Sequence, residues 1–509
     1  MNIFVSAKMN NFIDLSTPQW IILGTISFIS WYFFYVKRKR SFWERQGVKG
    51  PEPPSMIPSI LTKSSLKPKP KPLTKVYLEG VETYGKIYGT YDGVDPTLVL
   101  SEPDLLRAVC VKDFHSFPQG FNQVFVASIE RNFLTVLYGE KWKRLRSILT
   151  PTFSSGKIKK MFYLIKLCND EAQKQLLKLA SSSKPDLNPP QFWSAYNLDV
   201  IAKCCFATNL DVYNSEGNKL LEVFNSTFSR NKYKHLFMAL APKWLVRLLD
   251  MSSVSVEHIT ILKQLTLAII EQRKQGKDKV DDFLQLMLES EADTQDGEKL
   301  KDEDKKLTPD EIVCSCILFL LAGHETTSTL LTWACYRLAT NPDIQERLYQ
   351  EVSQANIEDY EVLQSLSYLD AVIQETLRMD PPILLFQRVC HSDTTLPGIN
   401  VQIEKGTPVN IPIYAIHHDP ENYPEPEVFD PNRFLQGSPK PFTFLPFGAG
   451  PRTCIGMRFA LTNAKLSLAT FVRSFQVFTS DKYANQIDPM PGSLINRPMS
   501  MLLGVKTRS

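Results

Sequence analysis

Ten residues near the C-terminus, Phe447-Gly448-Ala449-Gly450-Pro451-Arg452-Thr453-Cys454-Ile455-Gly456, carry the strongest chemical signal in this 509-residue chain. Three glycines, a proline and a cysteine lead straight into the helical run MRFALTNAKLSLATFV. A cysteine at a helix N-terminus is favoured as its thiolate, because free backbone N–H groups and the helix dipole stabilise negative charge. A thiolate is a soft anionic donor and one of the axial ligands that haem iron accepts. Gly450 permits a tight turn, and Gly456 lets a flat ligand approach the helix backbone. Arg452 can pair bidentately with an anionic ligand edge. A plain buried cysteine in a glycine-rich turn fits the same ten residues.

His324-Glu325-Thr326 is the second constellation, since it interrupts the apolar run from Cys314 to Ala339. A threonine hydroxyl there can disturb the helix ladder and hold a water, and Glu325 can feed it protons. The same Thr-Thr-Ser-Thr stretch could equally spend its hydroxyls on bonds back into the helix. Glu375 and Arg378 stand at i,i+3 spacing. On a surface such a pair is worth little, but buried with Arg433 it would be costly to break. The nine cysteines include no CxxC pair, against structural zinc and dithiol chemistry, and their odd count suits reduced thiols.

These residues need elements to hold them. Thr308-Pro309-Asp310-Glu311 supplies an N-cap, a proline at the first helical position and a capping-box glutamate, predicting a helix from there to about Thr340. It would be roughly 45 Å long. Apolar nearly all round, it is expected at the centre of the body; His324 and Glu325 at its midpoint argue against a bilayer. From Lys141 to Met379 the pattern is dominantly helical. Residues 87–91 and 97–100 predict a hairpin about Asp92-Gly93, and 407–411 a short strand. With no βα alternation and no repeat, the fold class expected is mostly α with small β-sheets, an α+β arrangement.

No residue between Asp14 and Lys37 is charged, and Trp20 to Val36 reads WIILGTISFISWYFFYV. With its polar shoulder at 15–19, that suffices for a bilayer span, and Trp20, Trp31, Tyr32 and Tyr35 suit the interfaces. Lys37-Arg38-Lys39-Arg40 follows. The positive-inside bias then predicts a lumenal 1–19, an uncleaved anchor at 20–36 and a cytosolic remainder. A cleaved signal peptide would carry its basic residues first. Residues 37–73 read as a basic stop and a stiff proline-rich linker, and 74–509 as the catalytic domain. A net charge of +4, with 43% hydrophobic and 22% charged residues, excludes general disorder and gives no support to nucleic-acid binding.

The segment 447–456 resembles the haem-binding signature Phe-x-x-Gly-x-Arg-x-Cys-x-Gly of the cytochrome P-450 family, matched at Phe447, Gly450, Arg452, Cys454 and Gly456. Ala322-Gly323-His324-Glu325-Thr326 resembles the family's oxygen-binding groove, and Glu375-Thr376-Leu377-Arg378 its Glu-x-x-Arg pair. Pro431-Asn432-Arg433-Phe434 is similar to its Pro-x-Arg-Phe element, and Trp142 with Arg146 to its Trp-x-x-x-Arg helix. The likeness runs from the anchor to the C-terminus. It is greatest to animal microsomal members that oxidise drugs and steroids.

The resemblance implies a cytochrome P-450 fold with a long central helix over haem b. Cys454 would be the axial ligand of the iron. Arg452, Trp142, Arg146 and Arg388 would meet the propionates, and Phe447, Gly450, Gly456 and Ala322 would line the cofactor. Glu325 and Thr326 would be the catalytic distal groups, with Glu375, Arg378 and Arg433 a structural triad. Relatives often carry a further propionate arginine near Phe114 to Pro118. This chain has His115 there, and its part stays open.

The function so implied is a monooxygenase of the endoplasmic reticulum membrane, inserting one atom of O2 into lipophilic small molecules. Its electrons would come from NADPH through NADPH-cytochrome P-450 reductase, with cytochrome b5 as a second donor. Lys141, Lys143, Arg144, Arg458 and Lys465 would present a positive face to such an acidic donor. Substrate contacts are expected from 114–138, 224–251, Phe319, 383–386 and Ser493-Leu494. The apolar run from Leu236 to Ala241, with Trp244-Leu245, would dip into the membrane surface. Two rival functions are a haem-thiolate isomerase acting on peroxides, whose relatives often lack the threonine found at Thr326, and a non-catalytic haem- or lipid-binding membrane protein.

Overall fold

The computed structural model describes residues 17–53, 71–93, 95–120, 129–210, 212–213, 221–224, 226, 234, 237–238, 241, 243–252, 254–275, 282–289, 306–399, 401–479, 487, 489–498 and 500–508. Its axis is the helix Pro309–Thr340, hereafter the central helix. The expected start is present in full. Thr308 Oγ1 accepts from Glu311 N at 3.2 Å, and Glu311 Oε2 accepts from Thr308 N at 2.9 Å. Because its sequence is apolar on every side, every side must be covered. Helices Pro189–Phe206, Val256–Gln275, Ser367–Met379 and Met457–Ser474 pack around it. The approach of Pro189–Phe206 depends on Gly323, where a Cβ would lie 2.6 Å from Ile201 Cδ1.

Small sheets lie beside this helical body. Four strands, β1 (Ile87–Asp92), β2 (Asp95–Leu100), β4 (Phe386–Val389) and β7 (Pro408–Ile411), pair in the order β1-β2-β7-β4. The β1–β2 hairpin turns at Asp92↔Asp95 with Gly93 at φ +63°, a conformation that glycine adopts without steric cost. β3 (Asp186–Leu187), β8 (Phe475–Phe478) and β9 (Leu503–Thr507) form a second sheet, and β5 (Thr394–Thr395) pairs with β6 (Gln402–Ile403). The expected hairpin and the 407–411 strand are both present. Among the described residues a large apolar core surrounds the central helix, a smaller one lies under the four-stranded sheet, and Met238 with Val246 forms a third, minor cluster.

At the N-terminal end, helix Thr17–Arg40 contains a span-length apolar stretch, Gln19–Arg40, with Trp20, Ile21, Ile29 and Phe34 all exposed. The residues after it depart from the expected uniform linker over 37–73. Phe42 and Trp43 are buried in the smaller core, and Trp43 Nε1 donates to Thr90 O at 2.9 Å. Lys39 Nζ lies 3.5 Å from Asp95 Oδ1, and Gly89 N donates to Lys49 O at 2.8 Å. Proline and lysine content hid two aromatic side chains whose burial outweighs it. Residues 54–70 lie outside the described residues.

A Cβ on Gly50 would collide with the Gly89 carbonyl oxygen of β1. Gly50→Ala is expected to destabilise this junction by about 1–3 kcal/mol. Limited trypsin digestion should then cut at Arg45 and Lys49 well before the body unfolds. An unchanged digestion pattern would show that the segment is not packed in this way.

Candidate functional site

Cys454 sits in a loop closed on itself, its N–H donating to Phe447 O at 2.9 Å. Gly448 and Gly450 turn the chain at φ +72° and +71°, and a Cβ on Gly450 would collide with the carbonyl oxygen of Cys110. Helix Met457–Ser474 then begins, with Gly456 at its N-cap in an unstrained conformation, φ −88°. The Cys454 side chain lies deep in the protein, and burial raises its thiol above the usual range. The Gly456 N–H and the Arg146 charge act in the opposite direction. It nonetheless keeps accessible surface, whereas the other eight cysteines are buried.

Three guanidinium groups converge on this loop. Arg146 Nη2 donates to Thr453 O at 2.9 Å. Arg452 lies over the Trp142 ring at 4.6 Å and donates from Nη2 to Leu137 O. Arg388 donates to Gln387 O at 3.0 Å and to Ala449 O at 3.4 Å. Among the described residues no carboxylate pairs with any of the three, and the Nε atoms of Arg388 and Arg452 are buried without an acceptor. Burial lowers the pKa of Arg452 to about 9, helped by repulsion from Arg388 and Arg146. Arg146 and Arg388 are lowered mainly by burial. Concentrated positive charge of this kind suits a ligand bearing more than one carboxylate. A soft sulfur donor beside it suits a metal. The donor set therefore fits haem, an iron macrocycle with two propionates. His115, by contrast, is exposed.

On the central helix, Ala322 is exposed and Thr326 partly so, one turn apart on one face of an otherwise buried stretch. Thr326 Oγ1 donates to Ala322 O at 2.8 Å, and Ser328 Oγ to Glu325 O at 2.9 Å. These hydroxyls back-bond into a continuous helix and leave its ladder unbroken. Glu325 is 4% exposed and pairs with Arg497, Nε donating to Oε1 at 2.8 Å. That partner was not anticipated. A lone arginine in an irregular C-terminal stretch gives no periodic or motif signal that it reaches the midpoint of a distant helix. His324 is buried, which lowers its pKa, and its Nε2 lies 2.9 Å from Ser194 Oγ.

Farther off, Glu375 and Arg378 are both fully buried and doubly bonded, Nε to Oε2 at 2.7 Å and Nη2 to Oε1 at 2.8 Å. Arg433 Nε lies 3.5 Å from Glu375 Oε1, and Asp430 N donates to the same oxygen at 2.9 Å. Burial still leaves the Glu375 carboxyl raised. The expected positive face is only partly present. Lys141 and Arg458 are exposed, and Lys143 is exposed but paired with Glu140 at 2.7 Å, while Arg144 bonds Glu311 and Lys465 is buried against Asp370 at 2.8 Å. Phe319, expected at the substrate, is packed instead between Phe153 and Phe283, with ring centroids 5.4 and 4.5 Å away. The substrate stretches at 121–128 and 227–233 lie outside the described residues.

Comparison with known proteins agrees with this geometry. The Cytochrome P450 family model matches residues 51–503. The chain is 34% identical to mouse Cytochrome P450 3A41 over 479 residues, 92% of each protein. It is 35% identical to mouse Cytochrome P450 3A16, again over 92% of each, and 33% identical to human Cytochrome P450 3A5 over 91% of each. A cysteine beside three guanidinium groups, in the loop leading into a helix that packs on the central helix, thus belongs to a member of the cytochrome P450 family, oxygen-using haem monooxygenases.

Proposed function

We propose that this protein is a membrane-anchored monooxygenase that inserts one atom of O2 into lipophilic small molecules, with electrons from NADPH passed through a reductase. The observation that carries the reading is the accessible Cys454 beside Arg146, Arg388 and Arg452, with which no carboxylate among the described residues pairs. Haem, when bound there, would supply the redox chemistry; the Cys454 sulfur would hold its iron, and the three arginines and Trp142 would hold its propionates. Every other task falls to the chain. The mutually repelling guanidinium groups of Arg146, Arg388 and Arg452 would be balanced by propionate charge. Gly450 brings the Cys454 loop against Cys110, and Phe447, Gly456 and Ala322 bound the cofactor space.

On the distal side, the Thr326 hydroxyl is fixed by its bond to Ala322 O and keeps lone pairs to accept a proton donor. Glu325, next in the chain, is the acid that supplies it. Glu375 with Arg378 and Arg433 holds the helix Ser367–Met379 to the segment 425–433, keeping the frame around the cofactor rigid. Lys141, Lys143 and Arg458 remain as the exposed positive groups for an acidic donor, the reductase or cytochrome b5.

The apolar helix at 19–40 anchors the protein in the endoplasmic reticulum membrane with the body in the cytosol. Exposed Phe237, Trp244, Leu248 and Leu249 form a second apolar contact with that surface. The sequon Asn225-Ser226-Thr227, of which only Ser226 is among the described residues, then stays unmodified.

Cys454→Ser is expected to abolish the strongly red-shifted Soret band of the reduced, carbon monoxide-bound protein and reduce turnover to background. Retained turnover would remove the assignment. Product formation is expected to require both NADPH and reductase; conversion of a peroxide without either would favour the isomerase instead. Glu375→Gln leaves Arg378 with an uncompensated buried charge, a cost of about 3–5 kcal/mol. Haem content per protein, read by pyridine haemochrome, should fall with it, and full haem content would show the triad to be dispensable.

A further inference from the structure

Glu325 is held by a residue from the other end of the chain, and that residue sits on a loop with two attachments. Residues 489–498 fold back on themselves, Met490 N donating to Arg497 O at 2.8 Å. One side of the loop bonds to the segment before β4, through Leu384 N to Leu494 O at 3.0 Å and Asn496 N to Pro382 O at 2.9 Å. The other side bonds to the central helix two turns beyond Glu325, where Trp333 Nε1 donates to Asn496 O at 2.7 Å. Asn496 is thus fixed from both sides, and the next residue, Arg497, reaches Glu325. Its Nε and Nη2 meet the two carboxylate oxygens in a bidentate pair, with the glutamate side chain 5% and the arginine 24% exposed.

The other titratable neighbour of Glu325, among the described residues, is His324, whose Nδ1 lies 3.9 Å from Oε2. It is itself buried, bonded to Ser194 and disposed by burial to be neutral. Arg497 is therefore the charge that faces the carboxylate. A bidentate guanidinium fixes the orientation of the carboxylate it pairs with.

We propose that Arg497 is the positioning residue for the distal acid. Its fork fixes the direction of the Glu325 carboxylate beside Thr326, so that proton delivery to the Thr326 hydroxyl depends on the C-terminal loop being seated. This rests on the reading of Glu325 as the proton source. When that delivery is misdirected, O2 that has received two electrons from NADPH takes two protons and leaves as hydrogen peroxide instead of supplying an oxygen atom to substrate.

The test uses the full-length holoprotein with reductase and progesterone as a lipophilic probe, and reads hydrogen peroxide released per NADPH consumed. Arg497→Ala is expected to raise that ratio roughly tenfold, less than the roughly hundredfold or more that a positioned acid itself contributes. Arg497→Lys, which keeps the charge but not the fork, should restore part of it. A readout independent of turnover is infrared: the carboxylate stretches of Glu325, identified from the difference between wild type and Glu325→Gln, should shift in Arg497→Ala as the bidentate pair is lost. The carbon monoxide band checks that each variant is folded, and Arg497→Gln replaces the alanine variant should that one fail. If Glu325→Gln itself leaks no more peroxide than the wild type, the reading of Glu325 as the acid fails. If Glu325→Gln leaks while Arg497→Ala neither leaks nor shifts the carboxylate stretches, Arg497 has no positioning role and the present inference is overturned.

Discussion

Three guanidinium groups, Arg146, Arg388 and Arg452, are gathered around one thiol without a carboxylate among the described residues to balance them. Desolvating one unpaired cation is expensive, and each further cation adds repulsion. The cost is visible in Arg452, whose pKa falls to about 9. Much of the surrounding architecture can be understood as what keeps that arrangement from dispersing. Backbone carbonyls of Leu137, Thr453, Gln387 and Ala449 take the guanidinium protons, and Trp142 lies flat against Arg452. The charge is left for an anionic ligand edge to complete.

The central helix illustrates how one element serves packing and chemistry together. Its capping box and all-round apolar surface place it in the middle of the body, and Gly323 allows Pro189–Phe206 to press close. The same burial makes the few polar groups at its midpoint consequential. His324 is turned toward Ser194, Glu325 is matched by Arg497, and Thr326 bonds back to Ala322. In a low-dielectric interior each of these partners is close to obligatory, since an unmatched group there would cost more than the contact contributes.

The ion pairs divide into two kinds on this basis. Glu375–Arg378 is fully buried, bidentate and tied to the backbone at His417, Val428 and Asp430, so its geometry is over-determined. Surface pairs such as Lys143–Glu140 and Lys159–Glu361 are solvent-screened and contribute little. Arg144 and Lys465 show that a basic side chain next to a functional motif need not face solvent.

The ten residues around Cys454, the Trp142-x-x-x-Arg146 and Glu375-x-x-Arg378 spacings, the apolar N-terminal run and the capped central helix were legible in the chain because each depends on local chemistry. Turn glycines, i,i+3 spacing, capping residues and unbroken hydrophobicity act over a few residues, so order along the chain is enough to state them. What needed the tertiary structure was every choice among partners far apart in sequence: Arg497 for Glu325, Asp370 for Lys465, Phe153 and Phe283 for Phe319, and the packing of Phe42 and Trp43 under the hairpin. Those pairings arise because burial forces each charge and each aromatic ring to find the neighbour that the fold happens to bring near it. No spacing along the chain records which neighbour that will be.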